Sequence, residues 1–286
     1  MKFKKNIQRI ADAFIHAVFP PKCLACGSFF DPEKKRPKTG FRQKDIFKEK
    51  KPYDGASLFR NIMSPFLCPQ CRSGFLPVVS PLCPGCGIMF KTSEGFDHLC
   101  GECMASPKRI GMARAPGVFS GEYKKVIYSF KYRSKTALAK PLGMALFLFF
   151  KNVWRPGEID AVLPTPLHRT RLRQRGFNQA SLLVRNWPGF MRESGFENPG
   201  MKILPGALER RKKTAPQTGL DRKKRALNVK NAFFLTDHSS VRGKRLLVVD
   251  DVYTTGATVG ECAKVLLKGG AASVDALALA RAPRFF

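Results

Sequence analysis

The clearest pattern of apolar positions lies near the end of the chain. Residues 246–249 are Leu-Leu-Val-Val, an uninterrupted apolar run typical of a parallel strand that is buried on both faces. Gly269 and Gly270 would end the helix predicted after it. That helix has an apolar stripe in which Cys262 is a core residue rather than a reactive one: Val259, Cys262, Ala263, Leu266 and Leu267.

The alternation of strand and helix patterns begins at about residue 112. It predicts an α/β fold whose sheet is mainly parallel, with helices on both faces. Pro164–Pro166 reads as a turn after the first buried strand. The predicted helices are Tyr123–Tyr132, Leu138–Val153 and about Asn178 to Trp187, and the predicted strands are Ile159–Leu163, Leu246–Val249, Val274–Leu279 and segments near Ile203 and Phe233.

An amphipathic helix is predicted over residues 1–22. Its apolar positions have helical spacing, and Pro20 and Pro21 would end it. Arg9 and Asp12 interrupt the apolar stretch that a secretory signal needs. The longest apolar run elsewhere, Met144–Phe150, is far shorter than the roughly 20 residues of a membrane span. We therefore expect no stable membrane insertion and a cytoplasmic protein.

Eight of the nine cysteines form four Cys-x-x-Cys pairs. Each pair places two thiolates on one tight turn, so two pairs complete one tetrahedral site, and we predict two structural Zn²⁺ in a Cys-rich double zinc ribbon over residues 23–106. Redox motifs are the alternative. Interleaved pairing stays open, but sequential pairing is simpler and gives Cys23, Cys26, Cys68 and Cys71 in one site and Cys83, Cys86, Cys100 and Cys103 in the other.

The chain is strongly basic. Its 51 Lys and Arg outnumber 21 Asp and Glu, for a formal charge of +30, which predicts attraction to polyanions. DNA, RNA, anionic lipid and phosphorylated metabolites all fit this charge. A basic insertion lies between Cys26 and Cys68; it could grip nucleic acid phosphates or be a solvated loop.

A candidate ligand site follows the apolar run 246–249. Ligands of open α/β sheets bind at the carboxyl ends of the strands, where two carboxylates can accept hydrogen bonds from vicinal hydroxyls. The small, hydroxyl-rich loop after them can wrap a phosphate at the start of a helix. An ordinary acidic turn is the alternative. The predicted site comprises Asp250, Asp251, Thr254, Thr255, Gly256, Ala257 and Thr258.

Residues 246–258 closely resemble the phosphoribosyl-pyrophosphate (PRPP) signature of type I phosphoribosyltransferases. With the segment 175–179 (RGFNQ), the string Gln217…Leu220…Arg225…Asn228…Phe233 and the four cysteine pairs, nearly the whole chain resembles the ComF/ComFC family, which includes GntX-like proteins. The resemblance implies a phosphoribosyltransferase domain over residues 112–286, with Mg²⁺ accompanying PRPP. In it the two acids bind the ribose hydroxyls and the loop binds the 5′-phosphate.

The resemblance also implies a pyrophosphate loop at Pro164–His168 and a lid over Arg210–Arg225. Alternating arginines follow the first loop and could bind pyrophosphate, grip DNA or lie in a solvated loop. The candidates for pyrophosphate or lid contacts are Thr165, Arg169, Lys213, Gln217 and Arg225.

The role implied by the resemblance is natural transformation, in which incoming single-stranded DNA is handled in the cytoplasm with a competence helicase or other DNA-uptake proteins. The alternative is an active phosphoribosyltransferase with an unidentified acceptor. Thr254 stands where many purine-salvage enzymes carry an aspartate. Residues 1–22 contain no cysteine to act as a glutaminase nucleophile, which disfavours an amidophosphoribosyltransferase. No catalytic residue is assigned.

Overall fold

The computed structural model describes residues 20–31, 53–92, 94–106, 109–132, 135–198, 200–213 and 222–283. Residues 1–19 of the predicted N-terminal helix, most of the basic insertion and Gln217 lie outside the described residues. None of the described helices is both long enough and apolar enough to cross a membrane.

The described strands form one parallel sheet and a small two-stranded antiparallel sheet. The sheet has the order β1-β8-β7-β3-β4, β2 also pairs with β8, and all these pairings are parallel. This confirms the predicted α/β class. The strands are β1 (Ala113–Arg114), β2 (Gly117–Val118), β3 (Ala161–Pro164), β4 (Lys202–Ile203), β5 (Leu208–Arg210), β6 (Phe233–Leu235), β7 (Arg245–Tyr253) and β8 (Ser273–Arg281).

The described helices cover both faces of the sheet. Alternate residues of β7 belong to different apolar clusters: Leu247 and Val249 face one, and Leu246 and Val248 face the other. The helices are α1 (Gly55–Ile62), α2 (Pro69–Ser73), α3 (Gly101–Ala105), α4 (Gly121–Tyr132), α5 (Ala139–Val153), α6 (Arg169–Arg175), α7 (Gln179–Val184), α8 (Trp187–Ser194), α9 (Arg222–Val229) and α10 (Ala257–Lys268), with a 3₁₀ turn at Thr136–Leu138.

The central strand β7 is longer than the sequence predicts. Its pairing with β3 ends at Val249, but its pairing with β8 continues to Tyr253, which lies opposite Arg281. The sequence predicts that the strand ends at Val249, before the two aspartates, but both aspartates lie within the strand. They stand where β3 leaves the sheet, so a gap opens beside them on the β3 side.

Three further predictions about elements need correction. The single helix expected from Asn178 to Trp187 ends at Val184 as α7, and Trp187 begins a second helix, α8, with Pro188 in its first turn. The arginines after His168 lie in the helix α6, where no helix is predicted from the sequence. Gly176, with a φ of 80°, caps the end of this helix. The predicted strand near Phe233 exists, but it pairs antiparallel with β5, outside the main sheet.

The cysteine-rich region packs against the sheet domain. Phe59 and Phe75 stack with ring centroids 4.3 Å apart, and Tyr123 of α4 meets both rings edge-on. The Tyr123 hydroxyl donates to the Leu279 carbonyl at 2.9 Å, which joins this aromatic group to β8. The cysteine-rich region and the sheet domain thus share a continuous apolar core.

Candidate ligand cavity and metal centres

A cavity of about 750 Å³ opens at the carboxyl ends of β3 and β7. This is the edge of the sheet where ligands of open α/β folds bind. Most of the predicted loop reaches it, although Thr255 does not. The lining includes Lys131, Tyr132, Thr165, Arg171, Arg175, Arg210, Arg225, Asp250, Asp251, Thr254, Gly256, Ala257 and Thr258.

The acidic pair is held by groups from three elements. Asp250 accepts hydrogen bonds from the Thr165 hydroxyl at 2.9 Å and from the Asp251 N–H at 2.8 Å. Asp251 is buried and forms an ion pair with Lys131 of α4, 2.7 Å away. The second carboxylate oxygen of Asp251 is also buried and has no hydrogen-bond partner among the described residues. A ligand that donates hydrogen bonds would satisfy it.

The environment of Asp250 favours its neutral form. Burial and, after it, the charge of Asp251 raise the pKa of Asp250 to about 7, although Lys131 and the Thr165 hydroxyl act in the opposite direction. A cation or several hydroxyl donors at this position would favour the ionised form. The pair is therefore suited to a ligand that brings positive charge or hydroxyl groups.

The loop after the acids has the geometry that its small residues predict. Gly256 adopts a φ of 79° and caps α10. A Cβ at this position would also collide with the Tyr253 hydroxyl, so the loop needs glycine here for two reasons. The Thr255 hydroxyl accepts from the Ala257 N–H at 3.3 Å. The first N–H groups of a helix lack intrahelical acceptors, and here they begin at the cavity wall.

The segment 175–179 joins the cavity wall to the core. Arg175 donates to the Gln179 side chain, and Phe177 stacks on Phe130 of α4 with centroids 6.0 Å apart. Asn178 caps α7 by accepting from two backbone N–H groups, and its amide donates to the Thr165 carbonyl at 2.9 Å. The motif thus fixes Thr165, which in turn contacts Asp250.

Basic side chains line the cavity around the acidic pair, but two of the basic residues predicted for pyrophosphate or lid contacts, Arg169 and Lys213, are not among them. Arg171 and Arg175 of α6 line the cavity, whereas Arg169 is exposed and is not part of the lining. Arg225 also lines it, and its Nε is buried without a partner among the described residues. Lys213 is exposed outside the lining. The lining therefore includes Thr165 and Arg225 among the pyrophosphate and lid candidates.

Aromatic rings form another part of the cavity lining, which we call the aromatic wall. Phe119 and Tyr128 have centroids 6.0 Å apart, and Tyr128 stacks on Tyr132 at 5.6 Å. Lys124 lies 5.8 Å from the Phe119 and Tyr128 rings, and Arg175 lies 5.0 Å from Tyr132. This arrangement can hold a planar, electron-rich group.

The cysteines form two groups of four, paired sequentially as predicted. Within each group the Sγ atoms all lie within 4.8 Å of one another. The Cys26 and Cys68 sulfurs are 3.8 Å apart, and the Cys86 and Cys100 sulfurs are 3.7 Å apart. With a Zn–S bond of about 2.3 Å, the edge of a tetrahedral site is about 3.8 Å. The donor set and spacing fit Zn²⁺. We name the groups the first cluster (Cys23, Cys26, Cys68, Cys71) and the second cluster (Cys83, Cys86, Cys100, Cys103).

The two clusters repeat one design. In each, a turn closes when the N–H of Gly27 or Gly87 donates to the carbonyl of Cys23 or Cys83. Both glycines have positive φ. The remaining ligands come from a short helix, α2 or α3, whose N-cap is itself a cysteine. A tandem pair of knuckle-and-helix units therefore precedes the sheet.

In the second cluster, backbone donors prepare a thiolate. Cys83 is fully buried, which by itself raises its pKa, but N–H groups led by those of Cys100 and Cys86 lower the pKa of Cys83 to about 6. A thiolate stabilised before the metal arrives is a ready ligand.

Several cavity residues escape sequence reasoning. Lys131 and the tyrosines of α4 lie far from the acidic loop in sequence, and only the fold brings them to it. Arg281 contacts the loop from the end of β8. The sequence does carry a signal for Arg281: like the aspartates, it comes just after an apolar run predicted as a strand, where that strand reaches the ligand-binding edge of the sheet.

A mainly parallel sheet with helices on both faces, whose central strand carries an acidic pair before a small-residue loop, gives this chain an α/β fold with a ligand cavity at the carboxyl edge of its sheet. No family model matches the chain. It is 29% identical to Competence protein F of Haemophilus influenzae, over 76% of this chain and 97% of that protein. It is 32% identical to the DNA utilization protein YhgH of Escherichia coli O6:H1, over 70% of this chain and 84% of that protein.

Competence protein ComFC of Bacillus subtilis is 28% identical, over 75% of this chain and 84% of that protein. The chain belongs to the ComF/ComFC family. A purine phosphoribosyltransferase from Pyrococcus horikoshii Ot3 aligns with 50% of this chain and 72% of its own, at 17% identity and a TM-score of 0.27.

Proposed function

We propose that the cavity binds PRPP together with Mg²⁺. The observation that carries this proposal is the buried acidic pair beside a small-residue loop that leads into a helix, with basic side chains around both. Asp250 and Asp251 would accept hydrogen bonds from the ribose hydroxyls. Residues 254–258 would hold the 5′-phosphate at the start of α10, where N–H groups and the helix dipole favour an anion.

The basic residues of the cavity would hold the pyrophosphate. Arg171 and Arg175 lie on the α6 side, and Arg210 and Arg225 come from the region predicted as a lid. Mg²⁺ prefers oxygen ligands, which the acidic pair and the phosphates supply. When bound, the ion would neutralise pyrophosphate charge and favour ionised Asp250.

We further propose that the protein acts in bacterial competence, by handling incoming single-stranded DNA in the cytoplasm. Two of the relatives are named as competence proteins and one as a DNA utilization protein. The formal charge of +30 supports contact with a polyanion. A competence helicase or other DNA-uptake proteins are the proposed protein partners.

A second function, transfer of phosphoribose to an acceptor, is favoured by the aromatic wall. Tyr128 and Tyr132 face the same cavity as the loop, so a planar acceptor stacked on them would lie close to bound PRPP. Thr254 departs from the purine-salvage pattern, so the acceptor class is not set by the loop.

Pyrophosphate release separates these two functions. Purified protein with Mg²⁺ and PRPP would be tested against nucleobases, nucleosides, amines and single-stranded oligonucleotides. We expect saturable PRPP binding; turnover with any acceptor would establish the enzyme, and its absence across the panel would favour binding alone. A Tyr128→Leu variant tests the aromatic wall. It should weaken binding of the acceptor and leave the affinity for PRPP within about twofold of the wild-type value.

Contact with DNA is tested by the salt dependence of binding. If basic residues neutralise phosphates, the logarithm of the affinity for single-stranded DNA falls linearly with the logarithm of salt concentration, with a slope of about −0.7 per phosphate contacted. Deletion of residues 32–51 tests the basic insertion and should flatten that slope. An affinity that does not respond to salt would contradict phosphate contacts.

A further inference from the structure

One arginine joins the second cluster to the ligand loop. Arg281 ends β8 and is 3% exposed. Its Nε donates to the Cys86 carbonyl at 2.9 Å, and its Nη1 donates to the carbonyls of Thr254 at 2.6 Å and Tyr253 at 3.1 Å. Its Nη2 lies 3.8 Å from the Cys86 sulfur. A single guanidinium therefore holds a metal-ligand turn and the start of the loop together.

The surroundings of this arginine are unusual for a buried cation. Its hydrogen bonds within the described residues go to backbone carbonyls and to a cysteine sulfur, and its guanidinium lies 5.0 Å from the Tyr253 ring centroid. A buried charge is costly unless it is compensated. Four thiolates on one Zn²⁺ carry net negative charge, so a metal-loaded second cluster would stabilise the Arg281 cation.

We propose that Arg281 is a positioning residue that couples the second cluster to the ligand loop, so that metal at the cluster strengthens anion binding at the loop. This inference rests on the proposed PRPP function. Arg281 touches the loop through carbonyls, which leaves the loop residues 254 and 256–258 facing the cavity. By thermodynamic linkage, a ligand at the loop must in turn strengthen metal binding at the second cluster.

The first cluster provides an internal comparison. It contacts α4 instead: the Ser129 hydroxyl donates to the Ala25 carbonyl at 3.1 Å, and the Cys71 thiol lies 3.6 Å from a Glu122 carboxylate oxygen. Only the second cluster, among the described residues, is joined to the loop through Arg281. Coupling should therefore involve one of the two metal ions.

A matched control lies on the neighbouring strand. Arg114 of β1 donates to the Pro84 carbonyl of the same knuckle at 2.8 Å and to the Ala113 carbonyl at 2.9 Å, and among the described residues it makes no hydrogen bond to the loop. Arg281→Met removes the link to the loop while keeping an apolar side chain of similar reach, and Arg114→Met disturbs the knuckle without removing a hydrogen bond to the loop. Arg281→Lys serves as a second variant because it keeps the charge and loses the fork of donors.

The first measurement needs no ligand. Zinc content and hydrogen exchange of the backbone would be compared in the full chain for wild type, Arg281→Met, Arg281→Lys and Arg114→Met. We expect two zinc ions per chain in each. Exchange of residues 253–258 should be at least about tenfold faster in Arg281→Met, because two charge-assisted hydrogen bonds to the loop are lost, and should rise less in Arg281→Lys, which keeps the charge without the fork. Loop exchange equal to wild type would overturn the proposal.

The second measurement uses Mg²⁺ and PRPP. We expect Arg281→Met to weaken PRPP binding by about tenfold or more and Arg114→Met to change it less than about twofold. Saturating PRPP should slow release to a chelator of one zinc ion in wild type, and this protection should vanish in Arg281→Met. Equal protection in both would overturn the coupling.

The two measurements separate the failures. If wild type does not bind PRPP, the proposed function is wrong, and the exchange result still decides whether Arg281 orders the loop. If PRPP binds and neither loop exchange nor zinc release depends on Arg281, the coupling alone is wrong.

Discussion

The two tetracysteine clusters are built alike but differ in their exposure and in what they support. Cys86 is fully buried, whereas Cys26, at the equivalent place in the first cluster, is exposed. The first cluster packs with the apolar core on one face of the sheet, and the second packs with the core on the other. One supports α4, which carries Lys131, and the other supports the ligand loop.

Both clusters therefore contact elements that line the cavity, the first through α4 and the second through Arg281 and the ligand loop. The sulfurs that meet across the first cluster are 42 positions apart in sequence, against 14 in the second. The longer separation leaves room for the basic insertion without disturbing the loop side. The basic insertion thus belongs to the cluster that Arg281 does not join to the ligand loop.

The largest expected effect separates the equivalent ligands Cys86 and Cys26. We expect Cys86→Ser to lose one zinc ion and several kcal/mol of stability, since structural zinc contributes on the order of 10 kcal/mol to folding in small domains. Cys26→Ser should cost less, because water can replace an exposed ligand. Zinc content and thermal unfolding measure both. Equal losses would show that burial does not distinguish the clusters.

The next largest effect concerns Lys131 on α4, the helix that the first cluster contacts. Lys131→Met leaves Asp251 buried without its cation, and we expect a loss of about 2–4 kcal/mol in the free energy of unfolding, with weaker PRPP binding. Lys125→Met on the same helix is the control, since its ion pair with Glu122 is exposed. Chemical denaturation measures both. Similar destabilisation by the two changes would contradict the buried role of Lys131.

The pH dependence follows from Asp250. Its folded pKa of about 7 lies above the ordinary carboxyl value of 3.8, so the folded protein binds the proton more tightly than the unfolded chain does. The contribution of Asp250 to stability is therefore lost as the pH rises from about 4 to about 7. PRPP affinity should change in the opposite direction, rising up to about tenfold per pH unit below 7 and levelling above it. Asp250→Asn should abolish this pH dependence of stability. Unfolding measurements test the stability and calorimetric titrations test the PRPP affinity, both across this pH range.

The smallest expected effect distinguishes neighbouring arginines. Arg171→Ala should weaken PRPP binding by several-fold, about 1 kcal/mol, because Arg171 lines the cavity. Arg169→Ala should have almost no effect, because Arg169 is exposed outside the lining. A larger loss at Arg169 would restore the role that family resemblance assigns to it.

The sequence predicts those features that depend on local pattern. The buried run of β7, the helix α5 and the cysteine pairing follow from periodicity and spacing. The continuation of β7 past the acids does not, because it depends on pairing with β8 rather than on hydrophobicity. Likewise α6 is rich in arginine and has no buried residue, so it carries no apolar stripe by which to recognise it.

The candidate site divides in the same way. Asp250, Asp251 and the loop are contiguous in sequence, so their shared chemistry is visible there. Lys131, Tyr128 and Arg281 come from other elements and join the cavity or loop only through the fold. Sequence spacing reports no distance between separate elements, so these residues could not be assigned before the fold was known.

The most direct test of the central claim is a calorimetric titration of the zinc-loaded protein with Mg²⁺ and PRPP. The double variant Asp250→Asn with Asp251→Asn would be compared with Asp160→Asn, whose carboxylate pairs with Arg245 away from the cavity. We expect saturable binding to wild type and Asp160→Asn, and none to the double variant, with two zinc ions per chain in all three. Unchanged PRPP affinity in the double variant would contradict the central claim.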